Sequence, residues 1–218
     1  MNQLKILDLG TRGYKESWDL QKELHSKRVA EEIQDTLILV QHNPVVTIGK
    51  SGKAENIKVP VKYLEEKGIE LYHIERGGDV TFHGPGQLVG YPIFNIKKGL
   101  AGIRPFIEKI EDAIIATLID FGIPADKKEK MIGVWVGEKK ICSIGIAVKR
   151  WVSFHGFALN VSTDLRYFDL INPCGFKEIK MTSMQEILKC KIEMDIVKKS
   201  IIHNFVKIFG FNTVDSLC

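Results

Sequence analysis

The chain has 218 residues, 44% of them hydrophobic and 27% charged, with a formal net charge of +4. A hydrophobic fraction of this size builds a core and excludes a disordered chain, no apolar run approaches the roughly 18 residues of a membrane span, and a fold this long needs no disulfide or metal staple. The four cysteines, Cys142, Cys174, Cys190 and Cys218, form no C-x-x-C pair, which leaves zinc-ribbon and thioredoxin readings unsupported.

In chain order, Leu4–Leu9 alternates as a strand, and apolar spacing predicts a helix from Tyr14 to Gln34. Leu37–Val40 and Val45–Ile48 read as strands broken by Gln41-His42-Asn43-Pro44. Lys50–Glu55 reads as a mobile loop, Val61–Lys67 as a short helix and Ile69–Glu75 as a strand. Arg76–Gln87 holds four glycines and a proline and reads as a tight turn between strands, the second being Leu88–Ile96. Arg104–Phe121 is the clearest helix, with Pro105 in its first turn and Gly122 and Pro124 ending it. Asp126–Lys130 reads as a solvated charge run. Gly133–Gly137 and Lys140–Val148 form a hairpin pattern, Val152–Ser162 a strand, and Thr163–Phe176 an irregular stretch. Ser183 and Glu186 have capping-box spacing for a short helix to Leu188, and a last helix runs from Asp195 to Phe209. Strands come in clusters with helices between them. That pattern predicts an α+β fold with a mixed, mostly antiparallel sheet flanked by helices, in one domain spanning residues 1–218.

The densest chemistry lies in Arg76–Gln87. Its glycines let the backbone approach a ligand closely and take positive φ, Arg76 could pair a carboxylate or brace the loop, and His83 could bind ligand or move a proton. No P-loop spacing is present, and no helix follows to make a dinucleotide fingerprint. Cys174, between Pro173 and Gly175, sits on irregular backbone that suits a nucleophile, although spacing alone favours an inert loop thiol. Lys140, Cys142, Ile144 and Ile146 should share one face of a strand. Cys142 beside Lys140 is therefore a rival nucleophile, although a small buried hydrophobe is the simpler reading.

The run Arg76-Gly77-Gly78-Asp79-Val80-Thr81-Phe82-His83-Gly84-Pro85-Gly86-Gln87-Leu88-Val89-Gly90-Tyr91-Pro92 resembles the signature of the lipoyl(octanoyl) transferase (LipB) family. Gly133–Val136, Lys140–Gly145, His155–Val161 and Asn172-Pro173-Cys174-Gly175 resemble its later motifs in family order. One departure is Cys142, where a small residue such as alanine is expected.

The resemblance implies a biotin/lipoate protein ligase-like fold and an octanoyltransferase. Cys174 would take octanoyl from octanoyl-acyl carrier protein as a thioester and pass it to a lysine of an apo lipoyl domain. Such domains belong to 2-oxoacid dehydrogenase complexes and to glycine cleavage H protein. Lys140 would be the second catalytic residue. The substrate-binding residues would be Arg76, Gly77, Gly78, Asp79, Val80, Thr81, Phe82, His83, Ser143, Ile144, Gly145, Gly156, Phe157 and Ala158. Candidate oxyanion donors are backbone N–H groups near Ser143–Gly145, Gly77–Gly78 or Gly175. The reaction would need no ATP, no metal and no other cofactor. A cytoplasmic monomer that touches neither nucleic acid nor membrane is expected, with the small positive charge suited to acidic protein partners. The rival readings are an ATP-dependent lipoate- or biotin-protein ligase of the same fold and a Cys-dependent acyl hydrolase using Cys174 with His83 or His155. A non-catalytic lipoyl-domain binder is a further class, against which the intact Lys140 and Cys174 argue.

Overall fold

The computed structural model describes residues 3–97, 102–172 and 179–217. Cys174, its neighbours over 173–178, and Cys218 lie outside the described residues.

The main sheet contains β1 (Gln3–Arg12), β2 (Asp35–His42), β6 (Gln87–Ile93), β7 (Asp126–Lys128), β8 (Met131–Val136), β9 (Lys139–Lys149), β10 (Val152–Asn160), β11 (Lys180–Met181) and β12 (Thr213–Leu217). Their order is β12-β1-β2-β6-β10-β9-β8-β7, with β11 beside β9. From β2 to β7 every neighbouring pair is antiparallel, while β1 runs parallel to both β2 and β12. A second, three-stranded sheet has the order β4-β3-β5, from β3 (Val45–Ile48), β4 (Glu70–His73) and β5 (Val80–His83).

Period-two alternation divides the main sheet into two apolar faces. Leu37, Leu39, Leu88 and Leu159 face the long helices α3 (Ile103–Asp120) and α5 (Met194–Phe209), meeting Phe106, Ile110, Ile114, Ile201 and Phe205. Ile38, Val40, Val89 and Ala158 face the other way, toward Leu24 and Val29 of α1 (Tyr14–Val29). The small sheet has its own cluster, in which Val46, Ile48, Val80 and Phe82 meet Leu64 of α2 (Val61–Glu66) and Phe168. The short helix α4 (Met184–Leu188) starts as its sequence predicts, with the Ser183 hydroxyl accepting from the Glu186 N–H at 3.1 Å.

Four expectations change. Helix α1 ends at Val29 rather than Gln34, because Glu31 takes a φ of +60° and acidic side chains suit a helix C-terminus poorly. Val80–His83 is a strand inside the glycine-rich segment, paired antiparallel with Val45–Ile48. Asp126–Lys128 is a short outer strand beside Val134 and Trp135, not a free charge run. The stretch after Lys50 is bonded in place, with Lys50 N–H donating to Arg76 O at 3.0 Å and Ser51 N–H to Gly78 O at 3.2 Å. No helix among the described residues is long and apolar enough to cross a membrane.

Candidate active site

Between the two sheets lies a cleft of about 530 Å³, its open mouth included. Its floor is the antiparallel pairing of β9 with β10, where Ser143 opposes Ala158, Ile144 opposes Phe157 and Gly145 opposes Gly156. Its other wall is Arg76–Asp79 with Val80, Thr81 and His83 of β5. Thus Arg76, Gly77, Gly78, Asp79, Val80, Thr81, His83, Ser143, Ile144, Gly145, Gly156, Phe157 and Ala158 come together around one space, and Lys140 borders it. Phe82 does not. Its ring is in the small sheet's core, stacked on Tyr167 at 4.5 Å, because strand alternation turns it away from Thr81 and His83. Tyr14, Val89, Tyr91 and His155 also line the cleft. Nothing in the local pattern around Tyr14 or Tyr91 distinguishes them, because long-range packing brings them there.

The walls meet through backbone. A Cβ on Gly145 would lie 2.8 Å from Gly77 O, and one on Gly156 would lie 2.0 Å from Gly90 O. The Gly77 N–H donates to Ile146 O at 2.9 Å, so it serves as a strut and not as an oxyanion donor. Arg76 is a brace as well. Its Nη2 donates to Thr47 O at 2.8 Å and to Thr47 Oγ1 at 2.9 Å, and its Nη1 donates to Gly77 O at 3.1 Å. Asp79 accepts from the Val80 N–H at 2.7 Å and from Asn56 Nδ2 at 2.6 Å.

The histidines are held neutral. Burial lowers His83 to a pKa of about 3 and His42 to about 4. The tautomers follow from the partners. Gln87 Nε2 donates to Phe82 O at 3.2 Å and to Asn160 Oδ1 at 2.9 Å, so Gln87 Oε1 is the acceptor 2.8 Å from His83, whose Nδ1 carries the proton. His42 Nδ1 donates to Arg12 O at 3.1 Å, and Nε2 accepts from the Tyr91 hydroxyl at 2.7 Å. His155 is buried with a φ of +56° and lies 3.5 Å from the Glu75 carboxylate. Its pKa is also lowered by burial, which the Glu75 contact opposes.

Lys140 and Cys142 have different surroundings. Opposite β8 the register slips: Val134 opposes Cys142, while the next residue, Trp135, opposes Lys140. Ile141 is therefore an extra residue, and this bulge breaks the alternation expected of Lys140, Cys142, Ile144 and Ile146. Ile141 and Cys142 are both fully buried in the core beneath α3 and α5. Burial pushes the Cys142 thiol far up, well away from the thiolate needed for attack.

Lys140 is 3% exposed, and its Nζ donates to Ile132 O at 3.1 Å and lies 4.8 Å from the Trp135 ring centre. Gly133, at a φ of +126°, leaves the path open, since a Cβ there would lie 3.2 Å from Lys140 Cε. The Gly133 N–H donates to the buried Glu111 carboxylate of α3 at 2.9 Å. Glu111 thus fixes the backbone that faces Lys140, and sequence reasoning missed it. A glutamate on the core face of α3 was its only signal.

The strand that follows 173–178 runs beside this lysine. Lys180 pairs with Lys139 and Met181 with Lys140, so β11 runs along the start of β9. Asn172 and Ile179 share a groove with Lys139. Among the described residues, no group of three His, Cys, Asp or Glu side chains could hold a metal ion.

Residues 13–206 match the sequence family described as the lipoyl protein ligase A/B catalytic domain. An octanoyltransferase from Caldanaerobacter subterraneus subsp. tengcongensis is 49% identical, covering 96% of this chain and 91% of the relative. One from Caldicellulosiruptor saccharolyticus is 47% identical, covering 95% and 89%. Among solved structures, the bipartite lipoate protein ligase of Thermoplasma acidophilum superposes with a TM-score of 0.75 at 20% identity, over 100% of this chain and 88% of that one. The biotin protein ligase of Aquifex aeolicus superposes with a TM-score of 0.56 at 13% identity, over 96% and 70%. Both show the fold alone. With nearly its whole length matched, the chain belongs to the lipoyl protein ligase A/B family, and within it to the lipoyl(octanoyl) transferases.

Proposed function

We propose that octanoyl transfer proceeds through a thioester on Cys174, with octanoyl-acyl carrier protein as donor and the lysine of an apo lipoyl domain as acceptor. The observation that carries the reading is the buried Lys140 ammonium, held by Ile132 O where the cleft meets β11, the strand that follows the Cys174 segment. An ammonium beside a thiol favours the thiolate.

In the first step the Cys174 thiolate attacks the thioester carbonyl carbon. The C–S bond to the pantetheine arm breaks, and the leaving sulfur takes a proton from Lys140. In the second step the neutral ε-amine of the acceptor lysine attacks the octanoyl-Cys174 carbonyl. Lys140 takes back a proton from that nitrogen, the C–S bond to Cys174 breaks, and an amide forms. The thiolate–ammonium pair is restored. Thioester exchange is close to balanced and amide formation is downhill, so no ATP, metal or further cofactor is required. Covalent catalysis divides one transfer between two carrier proteins into two simpler steps. The acyl chain occupies the cleft between Arg76–His83 and the β9–β10 floor. The enzyme acts as a cytoplasmic monomer on acidic protein partners.

The test is transfer from octanoyl-carrier protein to an apo lipoyl domain without nucleotide. Octanoylated lipoyl domain is the expected product. A requirement for ATP and free octanoate would favour a ligase, and free octanoate as the main product in the presence of acceptor would favour a hydrolase.

A further inference from the structure

The nucleophile's segment starts at Asn172, and a specific bridge ties that start to the acyl cleft. The Asn172 N–H donates to Asn56 O at 2.7 Å, and Lys58 N–H donates to Leu170 O at 2.8 Å. Between them, Ile57 and Ile171 form an isolated antiparallel bridge. The stretch 56–58 is therefore a short splint laid against 170–172. Asn56 stands at its end, in a three-residue turn Ala54–Asn56 that has no side-chain cap of its own. Its N–H donates to Lys53 O at 3.0 Å within the turn, and its side chain ties it to the cleft wall, with Nδ2 donating to Asp79 Oδ2 at 2.6 Å. Asp79 is itself fixed, because its Oδ1 takes the Val80 N–H at 2.7 Å and sits 3.4 Å from the Lys53 N–H.

One residue thus joins two parts of the site. Its amide is held by a carboxylate in the wall of the cleft, and its carbonyl holds the backbone two residues ahead of Cys174. We propose that Asn56 is a positioning residue for the Cys174 nucleophile, acting through Asp79 on one side and the Asn172 N–H on the other. This inference rests on Cys174 being the attacking thiol. The Asn56 amide and the Asp79 carboxylate make a charge-assisted bond, the stronger class of hydrogen bond. Small displacements of a reacting group are expensive, since about 1 Å can cost 10²-fold in rate. A loose Asn56 leaves the fold intact, because it is only half-buried, but loosens the hold on the Asn172 backbone.

The experiment compares Asn56→Ala with the exchanged pair Asn56→Asp plus Asp79→Asn, in the full chain. In the exchanged pair the amide of residue 79 donates to the carboxylate of residue 56, and its carbonyl oxygen still accepts from Val80. Two rates are followed by mass spectrometry: octanoylation of Cys174 by octanoyl-carrier protein, and alkylation of Cys174 by iodoacetamide, mapped by peptide so that exposed Cys190 does not contribute. For Asn56→Ala, octanoylation should fall about 10- to 100-fold, as expected for losing a charged hydrogen bond. KM for the donor and the melting temperature should stay unchanged, and the pH profile of alkylation should shift. The exchanged pair should recover most of the lost rate.

Wild-type octanoylation in Asn56→Ala overturns the proposal. So does an exchanged pair no faster than Asn56→Ala, since a merely space-filling Asn56 gives that result. A wild-type enzyme that octanoylates at a residue other than Cys174 overturns the underlying reading instead, which keeps the two failures apart.

Discussion

The two ends of the cleft are built by different means. Along the acyl wall, backbone meets backbone, with Gly145 against Gly77 and Gly156 against Gly90, leaving no room for an added atom. At the Lys140 end, position is set by side chains and single hydrogen bonds: Glu111 holds Gly133, Ile132 O holds the ammonium, and Asn56 holds Asn172. The difference predicts different vulnerabilities. The wall should fail by crowding, which loses stability and acyl binding together. The reactive end should fail by loss of a partner, which lowers turnover while leaving binding and stability nearly intact.

The largest break should come at the reactive end. Lys140→Ala removes the proposed proton carrier and should lower kcat by about 10²- to 10⁴-fold, the usual range for a general acid–base group. The KM for octanoyl-carrier protein and the melting temperature should change little. A rise in KM with kcat preserved would move Lys140 from the chemistry to binding. Gly145→Ala should act on the other side of the comparison. Its methyl would press on Gly77 O and Arg76 Cδ, costing about 1–3 kcal/mol of stability. For a chain of this size, each kcal/mol lowers the melting temperature by about 2–4 °C, and donor KM should rise with it. A stable Gly145→Ala enzyme with wild-type KM would show that the wall yields.

A smaller effect concerns pH. His42, near 4, and His83, near 3, have folded pKa values depressed below their ordinary 6.5. The unfolded chain then binds more protons below pH 6.5, so stability is full above that value and declines as pH falls toward 4. Buried Glu111 works with the opposite sign, because its raised pKa favours proton uptake by the folded state. The net expectation is a melting temperature that falls from pH 6.5 to pH 5, and a shallower slope in His42→Gln. A slope unchanged by that substitution would remove His42 from the account.

Much of this division was legible in the sequence, for a physical reason. Close backbone approach demands glycine, and Gly145 and Gly156 stand in recognisable motifs. The apolar stripe of α3 likewise dictates its burial, and Gly122 its end. The reactive end was only half legible. Lys140 stood out as a cation at the head of an apolar strand, but the bulge at Ile141 that separates it from Cys142 depends on pairing with β8. Glu111 and Asn56 act through partners 22 and 23 residues away, so no local spacing marks them. The same holds for β7 and β12. The first is three charged residues recruited to the sheet edge, and the second gains its strand from a parallel partner at the opposite end of the chain.

The contrast between Cys174 and Cys142 is the most direct test of the account. One thiol lies between Asn172 and β11, the strand paired with Lys139 and Lys140, and the other in the core with its ionisation suppressed by burial. Intact-protein mass spectrometry after mixing with octanoyl-carrier protein should show one octanoyl adduct on the wild type and on Cys142→Ala, and none on Cys174→Ala. An adduct that persists in Cys174→Ala and vanishes in Cys142→Ala would contradict it.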